Sequence, residues 1–411
     1  GGFGTEPKFP HVDALQLALE RHYRTGDPAL ADIVRLTLNS MESGGIFDQV
    51  AGGFFRYSTT RNWGIPHYEK MLEENAGLLR LYLDAYKVFD EGRYRDTAQK
   101  VSAYLLDTLY DSGAGVFFGS QDADEDYYAL DRAGRLQRVM PYVDRTIYVD
   151  WNAQTASAYA AAYRILGDAY LRQIVLRAVD FLWQRCYRPD LGMYHYWDGQ
   201  PQRAGLLGDQ ASTLLALLDA HEISGNPAYV DQAEELALLL RREFAAPEGG
   251  FSDLARHEVE RIGLLRVPER SPSDNARVAE AFRRLSMLSG NEGYRQVAEE
   301  TLKSFVGEAV GQGLLAASYA HAVARLLQAP VHIVVVGDRR DARTADLFWE
   351  SMKVFEPGKV AQLVEPHSNR LAALGYPETP APVAYVCLNY SCLPPIADPT
   401  QIAAAERRSG T

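Results

Sequence analysis

The sequence predicts a mainly α-helical fold, a closed double ring of helical hairpins over residues 1–328, with a small α/β region over residues 329–411. Three observations predict it. A helical apolar period recurs in pairs around Gly-Asn or Gly-Asp turns, the first helix of each pair is rich in alanine, and valine-rich runs begin only past Ala329.

Looser copies of the pair occupy residues 10–41 and 73–109. The clearest are residues 150–186, opening DWNAQTASAYAAAY, residues 208–244, opening GDQASTLLALL, and residues 273–306, opening SDNARVAEAF. Residues 313–327, GLLAASYAHAVARLL, read as a sixth first helix. Six units at irregular spacing suit a ring that closes better than an open solenoid of fixed period. First helices with little bulk fit an inner ring with neighbours on every side. Second helices such as YVDQAEELALLLRREF carry charge on one face and apolar residues near i, i+3, i+4 and i+7, as outer helices require.

Each second helix is followed by a Gly-aromatic phrase: GGIFDQ, GAGVFFGS, LGMYHYWDG and EGGFSD, with GGFGTE at the start of the chain. Glycine stops the helix in a left-handed conformation, and the aromatic enters a short extended loop that returns to a first-helix end. Such loops read as aromatic plugs or as the wall of a cleft. Past Ala329, VHIVVVGD, the helical RTADLFWESMKVF, KVAQLVE and VAYVCLNY alternate strand and helix, and Gly337-Asp338 lacks the GxGxxG spacing of a nucleotide site.

Composition narrows the partners. Of 411 residues 47% are hydrophobic, yet no apolar run approaches the roughly 18 residues of a membrane helix, so no membrane partner is expected. Forty-two basic residues against 54 acidic give a net charge of −12, with the basic ones scattered along helices, which argues against nucleic acid. Three cysteines, Cys186, Cys387 and Cys392, suit a reducing compartment, and a cytoplasmic location is expected. Cys387 and Cys392 lie five apart, on opposite faces of a regular strand; pairing needs a turn at residues 389–391, and two free thiols are expected.

The candidate chemistry gathers where first helices begin. Asp13, Asn75, Asn152, Gln210 and Asn275 each precede an alanine there, and Asp150, Asp209 and Asp274 stand just ahead of three of them. Taken singly, such Asp residues cap helices, worth about 1 kcal/mol each. In a closed ring they converge on one mouth. Pro66 can open a helix, which puts His67 in a first turn where the dipole favours a neutral imidazole able to take a proton; Glu69 and Lys70 follow. Asp122 and Asp124 lie in the acidic run SQDADED, which fails as a calcium loop because Tyr127 and Ala133 take its sixth and twelfth positions. Spacings for zinc, for a GxSxG elbow and for a Walker loop are absent from the sequence, so no metal and no cofactor are expected. Tyr57, Trp63 and Trp151, with Arg56, supply faces and donors suited to a sugar ring and its hydroxyls.

The phrases GGFGTEPKFPH, GGIFDQVAGGFFRYS, WGIPHYEKML, SQDADE, DWNA and YVCLNYSCLPPIADP, in this order, resemble the spermatogenesis-associated protein 20 family and its bacterial relatives, described as thioredoxin-domain-containing proteins. The resemblance runs from Gly1 to about Pro399. It implies an (α/α)6 barrel of the six-hairpin glycosidase type, similar to N-acylglucosamine 2-epimerases and cellobiose epimerases. It also implies a thioredoxin-like domain ahead of the barrel. This sequence begins at Gly1 without that domain, so a domain cut off or lost, or a thioredoxin-like partner upstream, is expected. Where the family tends to follow its acidic loop with a Gly-rich Phe-Tyr-x-Trp segment, DEDYYALDRAGRL stands here.

Two readings of function result. In the first, the chain is a carbohydrate-active enzyme, sugar epimerase- or isomerase-like or glycoside-processing, with His67, Asp122, Asp124, Asp209 and Asp274 as acid/base groups. Arg56, Tyr57, Trp63, Glu69 and Lys70 bind substrate from one connection, and Asp150, Trp151, Asn152 and Asn275 from first-helix ends. An epimerase needs a second proton-transfer group such as His195, though its place in the YHYW loop suits packing. In the second, the barrel is a non-catalytic binding or scaffold protein working with a thioredoxin-like redox domain.

Overall fold

The Gly-Asp and Gly-Asn turns act as paired stop and start signals. Gly26, Gly167 and Gly290 end their helices at φ 69°, 77° and 78°, and the next residue, Asp27, Asp168 or Asn291, caps the following helix by accepting a backbone N–H with its side chain. The computed structural model describes residues 1–256, 268–389 and 391–407.

Two compact units divide the chain, residues 1–213 with 313–318, and residues 214–312 with 319–411. The first holds the hairpins α1 (Val12–Thr25) with α2 (Pro28–Ser43) and α3 (Leu72–Phe89) with α4 (Gly92–Tyr104). The short helices α5 (Glu125–Tyr128) and α6 (Arg132–Arg135) follow, then the hairpin α7 (Val149–Leu166) with α8 (Ala169–Cys186). The start of α9 (Leu207–Ser224) completes this unit. α3 packs against both α1 and α7. First and second helices bury different faces, as their sequences require. α7 buries Ala153, Ala156, Ala158, Ala160, Ala161 and Ala162, residues on every side, whereas α8 buries the single stripe Leu171, Ile174, Val175, Ala178, Val179 and Leu182.

The second unit continues with α10 (Ala228–Glu243), α11 (Pro272–Ser289), α12 (Glu292–Ser304), α13 (Val306–Ala309) and α14 (Ala317–Leu327). A four-stranded sheet follows, in spatial order Val360–Val364, Val331–Val336, Val383–Leu388, Ser391–Cys392, whose first pair is parallel and the others antiparallel. α15 (Ala342–Lys353), α16 (Asn369–Leu374) and α17 (Ile402–Arg407) accompany it. Val334, Val336, Val364, Tyr385 and Cys387 share one sheet face with Leu371 of α16. The sheet and α16 are each tied to α11 of the same unit: Gln362 Nε2 of the sheet donates to Met287 O at 3.4 Å and Arg370 Nη1 of α16 to Leu288 O at 3.2 Å.

The expected free thiols are not found. Cys387 and Cys392 face each other across the last two strands and form a disulfide, because Asn389, in the left-handed region at φ 47°, turns the chain back between them. Cys186 is free and buried.

Candidate functional site

A buried amide near the start of each of four first helices clamps a Gly-aromatic loop. Asn75 accepts the Phe54 N–H at 2.7 Å and donates to Phe54 O and Met71 O, each at 2.9 Å. Asn152 holds Phe117 and Tyr148 at the same distances, 2.7, 2.9 and 2.9 Å. Gln210 holds Met193 and Leu206 at 2.7, 2.9 and 3.0 Å. In the second unit Asn275 holds Phe251 and Ser271, again at 2.7, 2.9 and 3.0 Å. Only a carboxamide both accepts and donates twice, so it mimics a strand partner for the loop and caps a carbonyl four residues upstream.

The clamp sets the register of the chemistry. Residues i and i+2 of an extended loop share a face, and at two of the four clamps the residue two beyond the clamped position turns toward the residue just before the amide. Met193 is thus followed by His195, facing Asp209, and Phe54 by Arg56, facing Glu74. His195 lies in the strand Gly192–Trp197, paired on one side with Pro201–Ala204 and on the other with Ile147–Tyr148. Its Nδ1 is 3.2 Å from both Asp209 oxygens, and the side chains are 33% and 0% exposed respectively. Asp150 completes the group: Asp150, His195 and Asp209 bring ligand-capable atoms within 4.8 Å of one another. Tyr148 and Tyr196 lie 6.0 Å from the imidazole, and Trp151 packs 4.4 Å from Tyr148.

Burial pushes the Asp209 carboxyl up to about 7, with the His195 contact opposing. The hydrogen bond to Asp209 raises the His195 value above its ordinary 6.5. The pair therefore keeps one proton to higher pH than a free imidazole, and the imidazole face remote from Asp209 is the part open to a ligand. One imidazole nitrogen and two carboxylates are also a donor set for a divalent cation, which would compete with that proton.

A second polar group forms on the connection before α3. Arg56 Nη1 pairs with Glu69 Oε2 at 3.1 Å, Arg56 Nε lies 3.8 Å from Glu74 Oε1, and His67 Nε2 lies 3.8 Å from Glu69 Oε2. Burial, with the neighbouring Glu73 charge, pushes Glu74 up to about 7.

Several expected site residues play other parts. The helical first turn expected at His67 does not form: Pro66–His67 is a short strand paired with Tyr57–Ser58, its imidazole stacks 5.0 Å from the Tyr57 ring, and α3 begins only at Leu72. Lys70 is fully buried, donating to Asp48 Oδ2 at 2.7 Å and Gly52 O at 2.8 Å, so it cannot meet a ligand. Trp63 is buried too, its indole N–H donating to Gly1 O at 3.0 Å. Asn152 and Asn275 spend their amides on the clamps. Asp124 caps α5 by accepting the Tyr127 N–H at 2.9 Å, while Asp122 is exposed. Asp274, in the second unit, pairs with Arg277 at 3.3 Å. Asp209 reaches a sugar-sized ligand only through His195, because its own side chain has no exposed surface.

Two residues escape the sequence reading, Glu74 altogether and His195 as a packing residue. A signal exists for both: Glu74 precedes the clamp Asn75 as Asp209 precedes Gln210, and His195 follows the clamped Met193 by two as Arg56 follows Phe54.

No family model matches the chain. The human protein spermatogenesis-associated protein 20 is 24% identical over 98% of this chain and 66% of its own length, and the mouse protein of that name is 40% identical over 30% of this chain and 16% of its own. The chain thus spans just under two thirds of the human relative. Among solved structures, a D-mannose isomerase matches with TM-score 0.64 at 11% identity, over 80% of this chain and 92% of its own. A cellobiose 2-epimerase from Bacillus thermoamylovorans matches with TM-score 0.59 at 12% identity, over 74% and 77%. A GH76 α-mannanase from Bacteroides thetaiotaomicron matches with TM-score 0.55 at 12% identity, over 75% and 77%. The fold class is that of these proteins, an (α/α)6 barrel shared by sugar epimerases, isomerases and glycoside hydrolases.

Proposed function

The chain belongs to the spermatogenesis-associated protein 20 family, and from its fold and the Asp150–His195–Asp209 group we propose that it moves a proton on a reducing sugar, as an isomerase or epimerase. The observation that carries the reading is an imidazole about a third exposed and oriented by a buried carboxylate. In its neutral form His195 takes the hydrogen from the carbon beside the open-chain carbonyl. The electron pair left on that carbon moves to the carbonyl oxygen as an enediolate, and His195 returns the proton to the neighbouring carbon on the same face; return to the opposite face, as in an epimerase, takes a second proton donor. Asp209 keeps the imidazole oriented and stabilises its protonated form, Asp150 stands within reach of sugar hydroxyls, and Tyr148, Trp151 and Tyr196 offer ring faces.

Glycoside hydrolysis fits less well. It needs two carboxyls facing the glycosidic bond, about 5–5.5 Å apart for retention or about 6.5–9.5 Å for inversion. Here one carboxyl of the Asp150–Asp209 pair is fully buried against a histidine and the other lies within 4.8 Å of it.

The test is proton exchange with solvent. In D2O the chain should wash deuterium into carbon 2 of at least one reducing hexose or disaccharide, read by NMR, and His195→Gln should lower the rate by about 10²- to 10⁴-fold. A panel in which no sugar exchanges, or in which His195→Gln exchanges at the unaltered rate, would refute the reading.

A further inference from the structure

The second unit contains a cavity of about 440 Å³ that none of the chemistry above uses, walled by α11, the start of α12, the ends of α14 and α16 and one face of the sheet. That volume lies in the usual range of small-molecule sites, about 300–1,000 Å³. Met287, Leu326, Leu374, Tyr376 and Tyr385 give it an apolar body. The arginines in its wall ask for no counter-charge: Arg283 and Arg325 share Glu280, Arg295 meets Glu299 at 3.2 Å, and Glu292 lines the cavity as well. An occupant with an uncharged body fits such a wall.

What distinguishes this cavity is a reactive bond in its wall. Cys387 and Cys392 both line it, and they are joined as a disulfide. The two halves are unlike. Cys387 is 5% exposed, in a strand with a neighbour on each side, whereas Cys392 is exposed on the edge strand of the sheet. The Tyr376 hydroxyl donates to Cys387 Sγ at 3.2 Å, a sulfur that carries no hydrogen of its own while it is bonded to Cys392. The Tyr385 ring, 5.0 Å away, backs that phenol, and burial pushes the Tyr376 value up to about 12, so the hydroxyl keeps its proton near neutrality. Thiol–disulfide exchange is governed by which sulfur can be reached and by how well the other leaves as a thiolate. Here Cys392 is the half that can be reached, and the hydrogen bond falls on the half that leaves.

We propose that this cavity is a thiol–disulfide exchange site for a small thiol with an uncharged apolar body. The body lies among Met287, Leu374 and Tyr376, and its thiolate attacks Cys392 Sγ. A sulfur–sulfur bond forms there as the Cys387–Cys392 bond breaks, and the electron pair leaves on Cys387 Sγ, where the Tyr376 hydrogen bond stabilises it until solvent supplies a proton. A second molecule of the thiol then attacks the sulfur of the first, and Cys392 leaves as a thiolate and is protonated in turn. The small thiol ends oxidised to its own disulfide and the cysteine pair ends reduced.

The oxidised full chain is mixed with benzyl mercaptan or, at equal thiolate concentration, with 2-mercaptoethanol, quenched with N-ethylmaleimide and mapped by peptide mass spectrometry. Opening by benzyl mercaptan should saturate and, below saturation, run about ten-fold faster than opening by 2-mercaptoethanol, the size of one buried ring. The first adduct should sit on Cys392. Tyr376→Phe, which keeps the ring and removes the donor, should slow both thiols by about ten-fold. Ala373→Phe, which adds a ring at an exposed wall position, should remove the preference for benzyl mercaptan while the 2-mercaptoethanol rate and the circular dichroism stay unaltered. Any of these results overturns the proposal: a disulfide that neither thiol opens, equal and unsaturable rates for the two thiols, a first adduct on Cys387, or an unaltered rate in Tyr376→Phe together with an undiminished preference in Ala373→Phe.

Discussion

Asp209 and Lys70 are both buried charges, and their environments assign them opposite roles. Asp209 touches His195, whose outer face remains open, so its charge acts on a group that can meet a ligand. Asp209→Asn removes the contact that raises the imidazole value, so the acid limb of the pH–rate profile for sugar exchange should move to lower pH while the maximal rate falls by about 10²- to 10⁴-fold. A profile that keeps its limb would separate Asp209 from the chemistry. Lys70 instead closes a structural knot. Asp48 Oδ2 accepts from Lys70 Nζ and Arg135 Nη1, both at 2.7 Å, and Asp48 Oδ1 accepts the Val50 N–H at 3.0 Å. Asp48→Asn leaves two buried cations without their carboxylate, and urea unfolding should lose about 3–5 kcal/mol. The Asp48 contact is what keeps Lys70 as high as about 8 against desolvation, so in the variant the ammonium gives up its proton at lower pH and part of that loss should be recovered as pH rises toward 8.

Between helix and loop, the clamps explain why Gly-aromatic phrases recur with hairpins. Gly52 and Gly53 at φ 77° let the backbone bring Phe54 against Asn75, and Gly192 at φ 79° does the same for Met193 and Gln210. A carboxylate in the amide position could still accept from the loop N–H but would repel the two carbonyls the amide now serves. Asn152→Asp should therefore destabilise the chain by more than Asn152→Leu, itself costing about 1–3 kcal/mol for each buried loop group left unpaired. Equal melting temperatures for the two variants would show that the amide's donors are dispensable. Much of this level is legible in the sequence. The hairpins, their Gly-Asp and Gly-Asn turns and the loop returns follow from periodicity and capping. What periodicity cannot say is what an Asn at a helix start does with its amide. Asn152 and Asn275 look equally fit for a sugar hydroxyl, and only the loop backbone found opposite them decides.

For the molecule as a whole, acid response is a contest between the units. In the first, Glu74 and Asp209 have folded values raised to about 7 by burial. Groups raised in this way give stability that is present below their unfolded values, 4.5 and 3.8, and is lost as pH climbs through about 7. In the second unit, His221 and His332 are pushed down to about 4 by burial, so their contribution is present above the unfolded value of 6.5 and is lost as pH falls toward 4. Between about pH 7 and 5 the two pairs act in opposite directions, and the melting temperature should change little. Glu74→Gln should tilt the curve toward loss of stability in acid, and His332→Gln toward gain; a pair of variants that tilt alike would break this account.

The sequence alone fixes the helical hairpins, their stops and starts, the change to strands past Ala329 and the resemblance that implies the barrel, because each depends on period, capping or residue order within a few tens of residues. Which polar residues meet is decided by tertiary structure. His195 and Asp209 are partners because a backbone clamp between Met193 and Gln210 sets their register, and Cys387 and Cys392 bond because a turn at Asn389 brings neighbouring strands together. Lys70, read as a ligand-binding residue, is instead sealed beneath the Phe55, Tyr104 and Tyr128 rings. Burial and contact across the chain, which set both proton affinity and access, have no representation in local spacing.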